Sequence, residues 1–308
     1  MVSSPEGDQP EADAEATVSW RALLGETIGR FEGGDIEAPA REARWILEDV
    51  TGLEGAEWVL GCDDPATQRG VARLDALVER RLAGEPIQYV LGHWSFRNLD
   101  LLCDPRVLIP RPETEQVVEV ALAELDAVLL GRPAGHRPFA VDLGTGSGAI
   151  ALALASERPG TDVWAIDRSP DALAVARANL AGLGMAGMRV RLGEGSWFAA
   201  LPDDLRGAVD LVVTNPPYVA ESEELPSSVA DWEPVDALVP GPSGLEAYEA
   251  IIDDLPTWLA PGGAFVAEIG AAQAPAVEAL LVARGFEAVR TSPDLAGLDR
   301  AVVGRLPR

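Results

Sequence analysis

The sequence predicts an α/β protein built on a doubly wound, mainly parallel sheet, with a small helical domain in front of it and a linking β-hairpin between. Three observations carry that expectation. From residue 139 onward, short apolar runs alternate with helical stretches, the pattern of right-handed βαβ units. Residues 17–85 instead place apolar side chains at helical spacing, with no strand pattern. The 308 residues are 47% hydrophobic and 24% charged, a composition that supports two cores.

Taken in order, residues 1–16 are polar, with five acids, no base and no apolar stretch of a secretory signal, and are expected to be disordered. Trp20, Leu23, Leu24, Ile28 and Phe31 then mark one helix face, which Gly33-Gly34 ends. Ala43, Ile46, Leu47 and Val50 mark a second. Val71, Leu74, Leu77, Val78 and Leu82 mark a third, closed by Gly84 and Pro86. Trp20, Trp45 and Trp58 sit among these apolar residues and read as core. Between 86 and 110 the pieces IQYVLG, WSFRNLDLL and RVLIP read as strands of a linking hairpin. A helix is expected from about Glu113. Strand Phe139–Leu143, helix Ser147–Glu157, strand Val163–Asp167 and helix Pro170–Leu180 follow. Met188–Leu192, Val209–Thr214 and Ala264–Ile269 complete the expected strands. In such sheets ligands bind at the carboxyl ends of the strands, where strand order reverses.

Charge and cysteine content exclude several classes. The formal net charge is −26, all 24 bases are arginine, and such a chain repels phosphate backbones unless its bases gather locally. Gathering is modest: Arg69, Arg73, Arg80 and Arg81 share one expected helix, while Arg106 and Arg111 lie further on. Two cysteines, Cys62 and Cys103, support neither a disulfide framework nor a four-ligand zinc site, and no metal is expected. The cleanest apolar run, Ala149–Ala155, is far short of the roughly 20 residues that span a bilayer. The expectation is a cytoplasmic enzyme without a membrane partner.

The first strand of the alternating region runs into Asp142-Leu143-Gly144-Thr145-Gly146-Ser147-Gly148-Ala149. Gly144 and Gly146 permit a tight turn and close backbone approach of a ligand, ahead of a helix N-terminus. Counted from Gly144, the loop also fits G-x-G-x-x-A, so a dinucleotide stays open here. Asp142 can receive the ammonium of an amino-acid-like ligand, and Asp167 ends the next strand, where an acid meets ribose hydroxyls. Together they resemble motif I and its partner acid in class I methyltransferases, which bind S-adenosylmethionine.

Further on, a very apolar strand delivers Asn215-Pro216-Pro217-Tyr218. The asparagine amide offers an acceptor and two donors. Pro217 has no N–H and biases Pro216 towards an extended conformation, which frees the Pro216 carbonyl. Tyr218 adds a flat face. These parts suit gripping a planar NH2 group through two acceptors while stacking on it. Such a nitrogen is a poor nucleophile, and hydrogen bonds from its N–H groups to fixed acceptors raise its electron density and set its angle to a methyl donor.

With these stretches in view, the chain resembles the bacterial release factor glutamine methyltransferase (PrmC/HemK) family. GEPIQYVLG, LIPRPETE at Leu108–Glu115, DLGTGSGAIAL, TNPPYV, WEPVDAL and LDRAVV all match, and they extend from Gly84 to near the C-terminus. The resemblance implies a class I methyltransferase domain over 111–308, a hairpin linker over 86–110 and a substrate-recognition role for helical residues 17–85. It implies N5-methylation of the glutamine in the Gly-Gly-Gln loop of peptide chain release factors, with S-adenosylmethionine as donor and S-adenosylhomocysteine as product. The cofactor site would comprise Asp142, Gly144, Thr145, Gly146, Ser147, Gly148, Asp167, Trp197 and Asn215. The substrate glutamine would lie against Asn215, Pro216, Pro217 and Tyr218, with Arg111, Glu113 and Glu115 bordering the cavity. Direct DNA or RNA binding is not expected.

Departures from the family pattern accompany the match. Ser196 precedes Trp197 where the family often has an acid for the adenine amino group, for which Glu194 is a substitute. Ser243 stands where Asp is common. Residues 219–244 carry six acids and no base, as befits a lid or a docking surface for a basic partner. Two alternatives use the same residues. An adenine-N6 nucleic-acid methyltransferase would apply Asn215–Tyr218 to a flipped base, and needs a basic groove. A regulatory binder of S-adenosylmethionine would have no use for Asn215 and Tyr218.

Overall fold

The computed structural model describes residues 17–34 and 36–308, so the expected disordered tail lies outside the described residues. The chain divides into one unit ending at Leu91 and another beginning at Gly92. The first consists of helices α1 (Trp20–Gly33), α2 (Pro39–Thr51), α3 (Gly55–Gly61), α4 (Gln68–Leu82) and α5 (Ile87–Leu91). Their ends follow capping chemistry. The Ser19 side chain accepts from Ala22 N–H and that of Thr67 from Gly70 N–H, while Gly52 closes α2 in the left-handed conformation. Trp20, Phe31, Ile46, Leu47, Trp58 and Val78 are buried, whereas Trp45 is only half-buried, with the Arg41 guanidinium 5.2 Å from its ring centre.

The stretch IQYVLG, expected as a strand, is helix α5. Pro86 supplies the reason: its carbonyl accepts from both Tyr89 and Val90 N–H, and the Tyr89 and Val90 carbonyls bind Arg80. Of the expected hairpin only β1 (His93–Phe96) and β2 (Leu99–Leu102) form, both within the second unit. RVLIP makes no strand. Pro105, Pro110 and Pro112 lack N–H groups, and Ile109 N–H goes to the Glu233 carboxylate instead. At the hairpin turn Arg97 holds φ at 52°, a region that favours glycine. Its backbone N–H bonds Glu115 Oε1 and its guanidinium reaches Glu119, Glu157 and the Glu115 carbonyl.

The second unit continues with α6 (Pro112–Leu129), β3 (Phe139–Leu143), α7 (Ala149–Glu157), β4 (Asp162–Asp167), α8 (Pro170–Gly182), β5 (Val190–Glu194) and β6 (Val209–Thr214). It ends with a short α9 (Ser227–Ala230), α10 (Glu246–Trp258), β7 (Leu259–Glu268), α11 (Ala274–Ala283), β8 (Glu287–Pro293) and β9 (Asp299–Arg305). Strand β5 begins at Val190, later than expected, because Gly184–Arg189 forms a 3-10 turn. The sheet order is β5-β4-β3-β6-β7-β9-β8. The first five of these pair in parallel, and β9 alone is reversed, pairing antiparallel with both β7 and β8. Side chains alternate between two cores. Ala140, Val163, Leu211 and Val266 face α6 and α7, while Val141, Ile166, Val212 and Phe265 face α10 and α11. Strand order reverses between β3 and β6, and that is where a crevice opens. Among the described residues no helix is long and apolar enough to cross a membrane.

The opposite ends of these two strands are joined by Asp210, which is fully buried. It accepts from Arg132 Nε at 2.8 Å and Phe139 N–H at 3.0 Å, and His136 Nε2 lies 2.7 Å from its Oδ2. Removing it takes the acceptor from a half-buried guanidinium and from a backbone donor. Asp210→Ala is therefore expected to lower the unfolding free energy by about 3–5 kcal/mol, measured by urea denaturation. A loss below about 1 kcal/mol would contradict this account.

Candidate active site

Pairing sets the geometry of the crevice. Leu143 lies opposite both Ile166 and Thr214, and the Thr214 hydroxyl donates to the Leu143 carbonyl at 2.7 Å. The glycine loop after Leu143 and the N-P-P-Y segment after Thr214 therefore leave the sheet side by side. Gly144 and Thr145 N–H groups both bind the Ile166 carbonyl, at 2.8 and 2.9 Å, turning the chain back over the strand ends. Gly144 and Gly146 have φ of 72° and 56°, and a Cβ built on Gly146 would meet nothing within 4 Å. That open face over a left-handed backbone is a cradle for a ligand.

A cavity of about 890 Å³ occupies the crevice, lined by Gly144, Gly146, Asp167, Ser196, Trp197 and Asn215 among others. Asp167 is held from two sides. Its Oδ2 accepts from Gly146 N–H and its Oδ1 from Ser169 N–H, both at 2.9 Å. The helix-cap role at this strand end goes to Ser169, whose side chain accepts from Ala172 N–H. Trp197 has φ of 49°, a rare conformation for a non-glycine residue, and its ring sits across from Gly144.

Not every expected residue reaches the cavity. Asp142 is fully buried behind the loop and is absent from the cavity wall. Its Oδ2 accepts from the Thr145 hydroxyl at 2.6 Å and Ala151 N–H at 3.1 Å, while Oδ1 is buried without a partner among the described residues. Desolvation pushes the carboxyl up to about 7, against the pull of those two bonds. Thr145, Ser147 and Gly148 also lie off the wall. They shape the loop: Thr145 anchors to Asp142, Ser147 lends its carbonyl to Asn179, and Gly148 caps α7 with φ of 88°. Glu194 is exposed and off the wall, whereas Ser196 and Glu246 both line the cavity. Glu246 Oε1 accepts from Ser243, and its Oε2 is buried without a partner among the described residues.

A second cavity of about 180 Å³ is lined by Asn215, Pro216, Tyr218, Arg111, Leu238 and Glu268 among others. Pro217 faces the larger cavity instead. Asn215 lines both. Arg111 pairs with the buried Glu233, whose other oxygen accepts from Ile109 N–H, so the segment 219–244 is fastened to the chain before α6. Glu113 lines neither cavity, and Glu115 is taken by Arg97. Thr114, which was not among the expected site residues, accepts from Asn215 Nδ2 at 3.3 Å and donates to Glu268 Oε2 at 2.6 Å. Glu268, at 1% exposure, also accepts from the Tyr218 hydroxyl at 3.4 Å. Burial raises Glu268 to about 7 and, with the neighbouring carboxylate, lifts Tyr218 above the usual phenol range. Gln273 holds the Tyr218 carbonyl at 2.9 Å. Glu268 carried a sequence signal, a lone acid ending the apolar run GGAFVAE, of the kind that marked Asp142 and Asp167.

Known proteins share this organisation. Residues 22–92 match the family model of the PrmC N-terminal domain, and residues 127–231 match that of the methyltransferase small domain. The release factor glutamine methyltransferase of Cereibacter sphaeroides is 42% identical over 282 residues, covering 91% of this chain and 96% of that protein. The protein of the same name from Burkholderia pseudomallei is 43% identical over 272 residues, covering 87% and 92%. Among solved structures, the hMettl16 catalytic domain in complex with MAT2A 3'UTR hairpin 6 shares the fold at 15% identity and a TM-score of 0.50, over 77% of this chain and 82% of that one. With the class I methyltransferase fold and such identity over nearly the whole length, the chain belongs to the release factor glutamine methyltransferase family.

Proposed function

We propose that this chain transfers a methyl group from S-adenosylmethionine to the side-chain nitrogen of a glutamine in a peptide chain release factor. One observation carries the reading: Asn215 stands in the wall of a large cavity and of a small one beside it. A donor and an acceptor in the two cavities would meet at that residue.

The residues of the larger cavity fit the donor. Gly144 and Gly146 expose backbone to it, Asp167 offers carboxylate lone pairs to ribose hydroxyls, and Trp197 supplies an apolar face. Asp142, Thr145, Ser147 and Gly148 act from behind by fixing the loop. Bound there, S-adenosylmethionine would supply an electrophilic methyl group, the N–CH3 bond forming as the S–CH3 bond breaks, with S-adenosylhomocysteine as leaving group and the amide proton lost to solvent. The protein's own work is on the acceptor. Asn215 Oδ1 and the Pro216 carbonyl accept from the two amide N–H groups, and the Tyr218 ring bounds the plane. Arg111 lines the same pocket and holds the covering segment through Glu233.

The glutamine is that of a Gly-Gly-Gln loop, whose glycines let a backbone pass where bulkier residues would clash. The first unit serves to recognise the release factor, and the enzyme works in the cytoplasm without binding nucleic acid. Charge supports this. Arg73, Arg80 and Arg81 are paired with Asp49, Glu85 and Glu42. Glu221, Glu223, Glu224, Asp231 and Asp236 are exposed on the segment beyond Tyr218 and would repel a phosphate strand.

S-adenosylmethionine or S-adenosylhomocysteine is expected to raise the melting temperature, by a linkage gain of roughly 2.7 kcal/mol at 100 times Kd, and NAD is not. A shift with NAD alone would overturn the cofactor. Asn215→Ala should lower kcat by about 100-fold or more, and Tyr218→Phe should be milder than Tyr218→Ala if the ring face matters most. Near-normal turnover in folded Asn215→Ala would remove Asn215 from the chemistry. Tritiated S-adenosylmethionine, offered with a release factor, a Gly-Gly-Gln peptide, duplex DNA and RNA in parallel, tests the substrate. Label should enter the full-length factor and vanish when its loop glutamine becomes alanine. The free peptide should be poor, because it lacks the remote contacts that position the amide. Labelled adenine with an untouched release factor would establish the nucleic-acid alternative.

A further inference from the structure

We infer that Thr114 and Glu268 are positioning residues that dictate which end of the Asn215 amide is offered to the acceptor. This rests on the functional reading above. Strand β7 lies beside β6 with Ala267 opposite Thr214, so the next residues, Glu268 at the end of β7 and Asn215 just beyond β6, stand side by side at the sheet edge. Thr114, in the first turn of α6, is buried at the same place. Its hydroxyl has one proton, and at 2.6 Å from Glu268 Oε2 that proton is committed to the carboxylate whenever Glu268 is ionised. Only lone pairs are left for Asn215. The amide group 3.3 Å away must therefore turn its Nδ2 to Thr114, and Oδ1 is left as the other end. Among the described residues no donor reaches Oδ1.

With the amide reversed, Oδ1 would face the Thr114 oxygen with no proton between them, and Nδ2 would present donors to an acceptor nitrogen that itself needs acceptors. An asparagine on an exposed turn has no such preference, because water satisfies either end. The same carboxylate also receives the Tyr218 hydroxyl, so the two polar side chains of N-P-P-Y are referred to one buried acid. Around that acid stand Arg300 on β9, Glu113 on α6 and Tyr248 on α10, whose hydroxyl donates to the Glu268 backbone carbonyl. None of these touches Asn215 among the described residues, so control of the amide passes through Thr114.

The test compares Thr114→Val, Thr114→Ser and Glu268→Met with the parent enzyme, each also in an Asn215→Ala background. Thr114→Val is expected to lower kcat by about 10- to 100-fold, with KM for the release factor and the calorimetric Kd of S-adenosylhomocysteine within about 2-fold. Thr114→Ser restores kcat to within about 3-fold, because it restores the one-proton hydroxyl. In the Asn215→Ala background Thr114→Val has less than about 2-fold further effect, and the Glu268→Met loss shrinks. In ¹⁵N-labelled protein, the Asn215 side-chain NH2 signals, assigned by their loss in Asn215→Ala, move in Thr114→Val and return in Thr114→Ser. Unchanged kcat and unchanged NH2 signals in folded Thr114→Val overturn the inference, as does a Thr114→Val loss that persists in full without Asn215. A parent enzyme that fails to methylate the release factor overturns the functional reading, and the NH2 signals then decide the positioning role by themselves.

Discussion

Everything at the carboxyl edge of the sheet depends on the parallel pairing of β3 and β6. Parallel neighbours lie roughly 4.8 Å apart, so whatever follows Leu143 and Thr214 emerges within reach of both. The pairing is secured at both ends by buried polar groups, Thr214 on the Leu143 carbonyl and Asp210 on the Phe139 N–H. Between them the two strands are buried almost throughout, with cores on both faces. A glycine loop and an N-P-P-Y segment on separate, mobile turns would have to find one another. Here the sheet has already brought them together.

Much of this was legible in sequence because it is local. Residues 139–143 and 209–214 read as strands from their apolar character, interrupted only by Asp142 and Asp210 before the closing Thr214, and the structure has strands over the same spans. Gly144, Gly146, Asp167 and Asn215 stand out because glycines and polar residues are conspicuous at strand ends. What escaped is non-local. Thr114 and Glu268 are separated by 154 residues, and Arg111 and Glu233 by 122, and no periodicity foretells such pairs. The same limit misplaced Glu115, which Arg97 captures across 18 residues. Local pattern also erred after a proline: IQYVLG is a short, mostly apolar piece that reads as a strand, but the Pro86 carbonyl accepts from Tyr89 and Val90 N–H and the chain winds into a helical turn.

Four carboxyl groups in the second unit show how different settings give one residue type different duties. Asp210 meets a guanidinium and a backbone N–H and serves as a rivet. Asp142, with one oxygen unpartnered, is pushed towards neutrality by burial while it braces the loop. Glu268 is also raised by burial, yet it gathers hydroxyl donors from two directions. Asp167 keeps to the cavity wall. Composition counts all four as equal negative charges, whereas desolvation and bonding separate them.

The tethering of Asp167 bears on what a ligand in the cavity would have to order. Both of its oxygens are fixed by backbone N–H groups from different segments, so the carboxylate has no rotamer freedom left to lose on binding. A carboxylate loses little accepting capacity in this way, since each oxygen retains a lone pair. A ligand bonding this carboxylate would not have to order its side chain first. The wall at Asp167 is a template rather than a closing hand, set by the glycine loop and the turn into α8 before anything occupies the cavity.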